Sequence, residues 1–206
     1  MSSIDWSKIH HEDKSWRQII QGDVISEYVI GRYIRLFEKA FQNSPPLSFL
    51  ELGSGTGDIS RRILNKGYPF LTRYAVSEAF QEGVDWLKGK GLEALLLDAQ
   101  SIDLPDASFD VVISFDVMHH VDNPEAMAKE MVRVSRGRIL LTEANGLSLG
   151  RKIMEMTPGH RAAGERSYTP NSYLRFFSSI PKIKLTRVVK YPFLFVFKTP
   201  SFLSGT

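Results

Sequence analysis

Apolar residues recur at near-helical spacing in the first part of the chain, over residues 13–41. This spacing predicts one or two helices there. The helical pattern ends at residues 43–46, which read Asn-Ser-Pro-Pro, because proline cannot continue a helix. A different pattern begins at residue 47.

Between residues 47 and 142, short apolar runs alternate with amphipathic stretches. The apolar runs predict five strands, at residues 47–52, 70–77, 94–97, 109–115 and 138–142. The stretches between them predict helices at residues 58–65, 79–90 and 123–135, the first with Asp58 as a possible N-cap. Strands that alternate with helices imply right-handed βαβ units, so the predicted fold class is α/β, a Rossmann-like doubly wound and mostly parallel sheet.

The alternation stops after Glu143. Residues 145–169 contain Gly, Pro and charged residues without a clear period. A short helix is predicted at residues 170–178, with Thr169 or Asn171 near its cap. Two more strands are predicted at residues 182–189 and 193–198.

Composition limits the possible classes of protein. A chain of 206 residues with 43% hydrophobic residues suits one globular domain. It has no cysteine, which excludes disulfides, cysteine-ligated zinc and cysteine nucleophiles. No apolar run approaches the roughly 18 residues that a membrane span needs, and the polar N-terminus does not resemble a signal peptide. We therefore expect a cytoplasmic protein.

The charge is unevenly distributed along the chain. Residues 1–145 hold 16 Lys/Arg and 21 Asp/Glu, whereas residues 146–206 hold 10 Lys/Arg and 2 Asp/Glu. A positive field over the last third would attract an acidic small molecule, phosphates or an anionic lipid surface. A solvated basic face is the alternative interpretation.

The chemistry-bearing residues gather at the predicted strand ends. Acidic residues at or near the ends of four strands are Glu51, Glu78, Asp98 and Glu143. Between the first strand and helix, residues 53–57 read G-x-G-x-G, whereas the dinucleotide fingerprint is G-x-G-x-x-G and receives a pyrophosphate. An aspartate at position 58, with a glutamate beneath the loop, would repel a pyrophosphate. The loop therefore favours a cationic ligand without phosphate.

An ordered set of segments resembles a known family. Residues 49–57, Phe-Leu-Glu-Leu-Gly-Ser-Gly-Thr-Gly, resemble motif I of class I S-adenosylmethionine-dependent methyltransferases. Later segments resemble, in order, the further motifs of the family's type 11 small-molecule branch. These segments are Leu97-Asp-Ala99, Leu104-Pro105, residues 108–115, His119-His120 and Leu141-Thr-Glu143. The resemblance covers about residues 47–145, and the ordered set is more specific than any one block.

The resemblance implies a cofactor and the residues that bind it. The cofactor would be S-adenosyl-L-methionine, with the glycine loop at its methionine part, Glu78 at the ribose and Asp98 at the adenine. The implied binding residues are Glu51, Gly53, Ser54, Gly55, Gly57, Glu78, Asp98, Ala99, Phe115 and His120. The family usually has an acid directly after Val at the end of the second strand, where this chain has Ser77, so Ser77 is the alternative to Glu78 at the ribose.

We expect the segments to be arranged within one methyltransferase domain, in which the resemblance implies the last strand pair and the non-periodic stretch after the fifth strand indicates a lid. Residues 1–43 would form an N-terminal helical cap, 44–145 the cofactor-binding core, 146–181 a substrate-side lid, and 182–206 the antiparallel strand pair that completes a seven-stranded sheet. The lid carries cationic and apolar side chains, which favour a small acceptor that is anionic or partly apolar.

The catalytic group and the exact activity stay open on sequence alone. Candidate bases are His119, His120, His160 and Tyr168. Metal is not expected, because no HxxxH spacing or cysteine accompanies the histidine pair. A nucleic-acid methyltransferase is disfavoured because the segment after the fourth strand does not read Asn-Pro-Pro-Tyr, and a nonenzymatic cofactor-binding module is a further alternative. The oligomeric state is not indicated.

Overall fold

A β-sheet with helices on both faces organises the chain. The computed structural model describes residues 23–148, 152, 156, 168–181, 185–189 and 200–205. Five helices are described: α1 Asp23–Phe41, α2 Asp58–Asn65, α3 Gln81–Gly89, α4 Pro124–Val134 and α5 Pro170–Ser178. The strands are β1 Leu47–Leu52, β2 Leu71–Glu78, β3 Glu93–Leu96, β4 Phe109–Phe115, β5 Ser135–Ala144, β6 Leu185–Val189 and β7 Pro200–Gly205.

Strand order defines where a ligand can bind. In the described part of the chain the order is β3-β2-β1-β4-β5-β7-β6. Strands β1 to β5 are parallel, and β1 pairs with β2 on one side and β4 on the other. The order therefore reverses between β1 and β4, which is the switch point where open parallel sheets bind ligands. The predicted Rossmann-like parallel sheet is confirmed.

The C-terminal edge differs in detail from the expectation of an antiparallel strand pair. Strand β7 is antiparallel to both β5 and β6, so β7 alone runs against the five parallel strands. The last strand lies at Pro200–Gly205, which was not predicted. The predicted strand at residues 193–198 lies outside the described residues.

Two helix starts show how local chemistry sets the boundaries. The prediction that Asp58 caps α2 was wrong: Gly57 occupies the cap with φ 75°, without a side-chain hydrogen bond. Asp58 instead lies in the first turn, where a carboxylate interacts favourably with the positive end of the helix dipole. Helix α5 is capped by Thr169, whose side chain accepts a hydrogen bond from the backbone N–H of Ser172.

The alternation of side chains along the strands divides the core in two. Along β1, Phe49 belongs to one buried cluster, together with residues of α1 and α3, while Leu50 and Leu52 belong to the other, together with residues of α4 and α5. This period of two is what a sheet covered on both faces requires. Among the described residues, no helix combines the length and apolar character needed to cross a bilayer.

Phe37 is the centre of the aromatic packing that fixes α1 on the sheet. Its side chain is fully buried, with ring centroids 5.3 Å from Phe49 and 5.2 Å from Phe41. We expect Phe37→Ala to lower the free energy of unfolding by about 3–5 kcal/mol through lost burial and a residual cavity. Urea unfolding followed by circular dichroism measures this, with the exposed Leu96→Ala as control. Equal losses in the two variants would contradict the assigned core position.

Candidate functional site

The glycine loop that joins β1 to α2 contains two packed glycines and one open glycine. Gly53, Gly55 and Gly57 all have positive φ, at 63°, 55° and 75°. A Cβ at Gly53 would lie 2.8 Å from a Val117 methyl carbon, and one at Gly57 would lie 2.7 Å from a Leu87 methyl carbon. A Cβ at Gly55 would meet nothing within 4 Å. Gly55 is thus the exposed position where a ligand can approach the backbone closely.

Glu51 lies buried beneath this loop rather than on an open rim. Its Oε2 accepts hydrogen bonds from Ser60 Oγ at 2.7 Å and from the Tyr74 hydroxyl at 2.6 Å. Burial raises the pKa of Glu51 to about 7, although these two hydrogen bonds act in the opposite direction. A cationic ligand above the loop would favour the ionised carboxylate.

The side chains of Glu78 and Ser77, at the end of β2, have different hydrogen-bond partners. The Glu78 carboxylate accepts a hydrogen bond from the backbone N–H of Gly55, so it lies directly beside the loop. Burial raises the pKa of Glu78, and hydrogen bonds from the N–H groups of Gly55 and Ala79 oppose that shift. Ser77 is buried, and its hydroxyl donates to the Glu51 carbonyl oxygen at 3.1 Å.

The end of β3 continues the same edge. The Leu97 N–H donates to the Glu78 carbonyl oxygen at 3.0 Å, which ties this end to β2. Asp98 follows it and is exposed, and its Oδ1 accepts from the Gln100 N–H at 2.8 Å. Ala99 is buried. The structure thus brings Glu78 into contact with the glycine loop and places Asp98 at the next strand end.

A buried carboxylate holds the turn that follows β4. Glu143, near the end of β5, accepts hydrogen bonds from the N–H groups of Val117 at 3.0 Å and Met118 at 2.7 Å. Its other oxygen accepts from His119 Nδ1 at 2.7 Å and from the Tyr173 hydroxyl at 3.2 Å. Sequence analysis placed Glu143 at a strand end but did not predict these partners.

The same turn begins with a residue in an unusual conformation. Asp116 has φ 57°, and its N–H donates to the Thr142 carbonyl oxygen at 2.8 Å. The Tyr33 hydroxyl, from α1, donates to the Asp116 carboxylate, and the Tyr33 ring stacks on Phe115 with centroids 5.4 Å apart. Sequence reasoning missed both Tyr33 and Asp116. The position of Asp116 directly after a predicted strand was an available signal for it, whereas Tyr33 had none.

The candidate bases differ in burial and in the residues they contact. His119 is buried, and His120 is half-buried with its ring centroid 4.0 Å from that of His119. Tyr168 packs edge-on against Phe176, with centroids 5.1 Å apart, as part of the α5 contact. His160 lies outside the described residues.

The side chains of Asp116, His119 and Glu143 could together offer ligands to a metal ion. Atoms of Asp116, His119 and Glu143 lie within 4.8 Å of one another. Each oxygen of Glu143 already accepts two hydrogen bonds, however, and a metal would have to displace the one from His119. We therefore interpret the group as a hydrogen-bonded network that fixes the turn.

Comparison with known proteins shows which proteins this arrangement is similar to. Residues 50–141 match the model of a family described as a methyltransferase domain. A ubiquinone/menaquinone biosynthesis C-methyltransferase of Burkholderia cenocepacia is 30% identical over 106 residues, which are 48% of this chain and 44% of the relative. The chain therefore matches less than half the length of that curated relative.

Solved structures share the fold at low sequence identity. Magnesium protoporphyrin IX methyltransferase of Synechocystis, solved with bound S-adenosylhomocysteine, superposes with a TM-score of 0.68 at 18% identity, covering 97% of this chain and 91% of that one. The cyclase SpnF superposes with a TM-score of 0.61 at 18% identity, covering 77% of this chain and 59% of that one. Residues 50–141, which run from β1 through the glycine loop to β5, are thus similar in sequence to a methyltransferase domain, and the described elements share the fold of these solved structures.

Proposed function

We propose that this chain transfers the methyl group of S-adenosylmethionine to a small-molecule acceptor. The observation that carries the proposal is the open Gly55, whose N–H is bound by the Glu78 carboxylate at the switch point of the sheet. This arrangement suits a ligand with hydroxyls and positive charge. It does not suit a pyrophosphate, because Glu78 and Asp58 would repel it.

The residues present fit the cofactor along three adjacent strand ends. The glycine loop after β1 would hold the methionine part. Glu78 at the end of β2 would accept hydrogen bonds from the ribose hydroxyls, and Asp98 after β3 would accept one from the adenine amine. The buried hydroxyl of Ser77 is directed to the Glu51 carbonyl, which favours Glu78 over Ser77 at the ribose. Phe115 and His120 would lie beside the cofactor on the β4 side.

The reaction itself needs little chemistry from the protein. The bound cofactor supplies a sulfonium whose methyl group is already activated for in-line displacement by a nucleophile. The chain's task is to place the acceptor opposite that group and to exclude water. Helix α1 and the turn after β4 contribute to that enclosure through the contact of Tyr33 with Asp116.

A small acceptor fits the relatives and the sequence of the lid segment. One relative is a ubiquinone/menaquinone biosynthesis C-methyltransferase and one structural neighbour is a magnesium protoporphyrin IX methyltransferase, which supports a small-molecule acceptor. In the lid segment, Lys152 is exposed, while Arg151, Arg161 and Arg166 lie outside the described residues. The cations of this segment favour an acceptor with an anionic part, and its residues Ile153, Met154 and Met156 favour an apolar part. A cytoplasmic location stays a prediction.

A nonenzymatic or differently catalytic role is the second candidate. The cyclase SpnF shares this fold at a TM-score of 0.61, so the fold does not fix the reaction. A nucleic-acid acceptor is the other alternative, suggested by the basic last third of the chain. Binding to duplex or single-stranded nucleic acid with a steep salt dependence would favour it.

A cofactor titration with matched glycine variants tests the proposal. The wild-type protein should bind S-adenosylhomocysteine in calorimetry and should not bind NAD. Gly55→Val should abolish that binding, because the side chain would fill the space of the ligand. Gly67→Val is the control, since Gly67 also has positive φ and open space but lies beyond α2. Binding of NAD alone, or equal effects of the two variants, would contradict the assigned site.

The ribose contact is tested at the end of β2. We expect Glu78→Ala to weaken binding of S-adenosylhomocysteine by about 1–3 kcal/mol, the usual scale for lost charge-assisted hydrogen bonds. Ser77→Ala should cost less, because Ser77 bonds the Glu51 carbonyl instead. Calorimetry on both folded variants measures the difference. The opposite ranking would place Ser77 at the ribose.

The buried Glu51 predicts a pH dependence of stability. Its folded-state pKa of about 7 lies above the ordinary value of 4.5, so the native state keeps this proton to higher pH than the unfolded chain. The free energy of unfolding should therefore fall as pH rises between these two values. In the wild type this fall in the free energy of unfolding should be at most about 3 kcal/mol, and in Glu51→Gln it should be absent.

Urea unfolding across that pH range measures the Glu51 effect. Glu82→Gln, on the exposed surface of α3, is the control and should follow the wild type. A wild-type stability that rises through the same range relative to Glu51→Gln would mean that Glu51 is held ionised in the native state.

A further inference from the structure

The last residue of β2 directs its side chain to the face of the sheet that α3 covers. Side chains alternate along a strand, so Glu78 lies on the same face as Val76, and Ser77 lies on the face of Ala75. Val76 belongs to the buried cluster that also contains Val84 of α3. Ala75 belongs to the other cluster, together with residues of α4. The Glu78 side chain therefore lies between the end of β2 and the start of α3.

Gly83 leaves the room that the Glu78 side chain occupies there. It is the third residue of α3, and a Cβ added to it would lie 3.0 Å from Cγ and 3.1 Å from Cβ of Glu78. Both distances are shorter than the optimal separation of two carbon atoms, about 3.5–4.0 Å. The Cβ of Glu78 is fixed by the strand backbone, so the side chain could yield only by turning Cγ away. A side chain at position 83 would therefore redirect the carboxylate.

The backbone of Gly83 does not itself require glycine. Gly83 is helical and is not one of the glycines with positive φ. Glycine within a helix lowers stability relative to alanine, because it loses more conformational freedom on folding. The three atoms nearest to an added Cβ, outside the helix backbone, all belong to Glu78. The room given to Glu78 is thus the reason for glycine that the structure supplies.

The carboxylate of Glu78 reaches the glycine loop along this path. Glu78 is half-buried and accepts hydrogen bonds from the backbone N–H groups of Gly55 and Ala79. Gly55 is the loop glycine beside which an added Cβ would meet nothing within 4 Å. The position of the carboxylate relative to this open part of the loop therefore depends on the absence of a side chain at position 83.

We propose that Gly83 is a positioning residue for cofactor binding, whose missing side chain lets Glu78 stand beside the glycine loop. This inference rests on the proposed function, in which the Glu78 carboxylate accepts hydrogen bonds from the ribose. It also gives a consequence of the acid lying at position 78. An acid at position 77 would lie on the other face of the strand, away from α3, whereas an acid at position 78 requires a small residue at position 83.

A double-mutant cycle tests whether Gly83 acts through Glu78. We expect Gly83→Ala to weaken binding of S-adenosylhomocysteine about three- to tenfold, because the displaced carboxylate keeps only part of its hydrogen bonds to the ligand. In the Glu78→Ala background, the same substitution should change the affinity less than about twofold, since no carboxylate is left to displace. Calorimetry on the wild type, the two single variants and the double variant measures this coupling.

Gly89→Ala is the matched control, because Gly89 lies in the same helix. A Cβ at Gly89 would meet nothing within 4 Å, so this variant should keep the wild-type affinity. Thermal unfolding without ligand should show both alanine variants at or above the wild-type melting temperature, since alanine favours the helix. A purely structural role of Gly83 would instead lower the melting temperature and leave the affinity of the folded protein unchanged.

The outcomes separate this inference from the proposed function. Unchanged affinity in Gly83→Ala, an equal loss in Gly89→Ala, or an equal further loss in the Glu78→Ala background would overturn the inference. Failure of the wild type to bind S-adenosylhomocysteine would instead overturn the proposed function.

Discussion

The hydrogen bonds of the buried Glu143 carboxylate hold together the elements at the β4–β5 side of the sheet edge. Four donors, from two backbone N–H groups, His119 and Tyr173, satisfy its two oxygens in a place without solvent. A buried carboxyl group is tolerated only when its oxygens are hydrogen-bonded in this way, so removing one donor would leave an oxygen of Glu143 buried without that partner, which lowers stability. The turn after β4, the histidine pair and helix α5 are consequently held by one side chain of β5. They can be expected to keep their relative positions or to lose them together.

Much of the fold could be predicted because the inner strands are buried on both faces. The bounds of β1 and β4 match the apolar runs, since a strand covered on both sides reads as a largely hydrophobic segment. The start of α2 was misread because a glycine in the left-handed conformation replaced the expected side-chain cap. Strand β7 begins at a proline and ends at a glycine, residues that weaken a local strand signal, and it is supported by pairing with β5.

The residues of the candidate site could be predicted only where they lie close in sequence to the end of a predicted strand. The glycine loop, Glu78 and Asp98 stand at fixed distances along the chain from predicted strands. The contact between Tyr33 and Asp116 spans 83 positions in sequence, so no local pattern could indicate it. The choice between Ser77 and Glu78 likewise depended on which side chain turns into the sheet, and one residue changes the face of a strand.

The carboxylates close to the glycine loop bear on how turnover would end. Methyl transfer converts a sulfonium cation into a neutral thioether, so the spent cofactor has lost the charge that a negative edge attracts. Glu78 beside the loop, and the ionised form of Glu51 beneath it, would then hold the product less strongly than the substrate, through electrostatics alone. Fresh cofactor could displace spent cofactor without any moving part of the fold, and exchange would slow as added salt screens the more exposed of these charges.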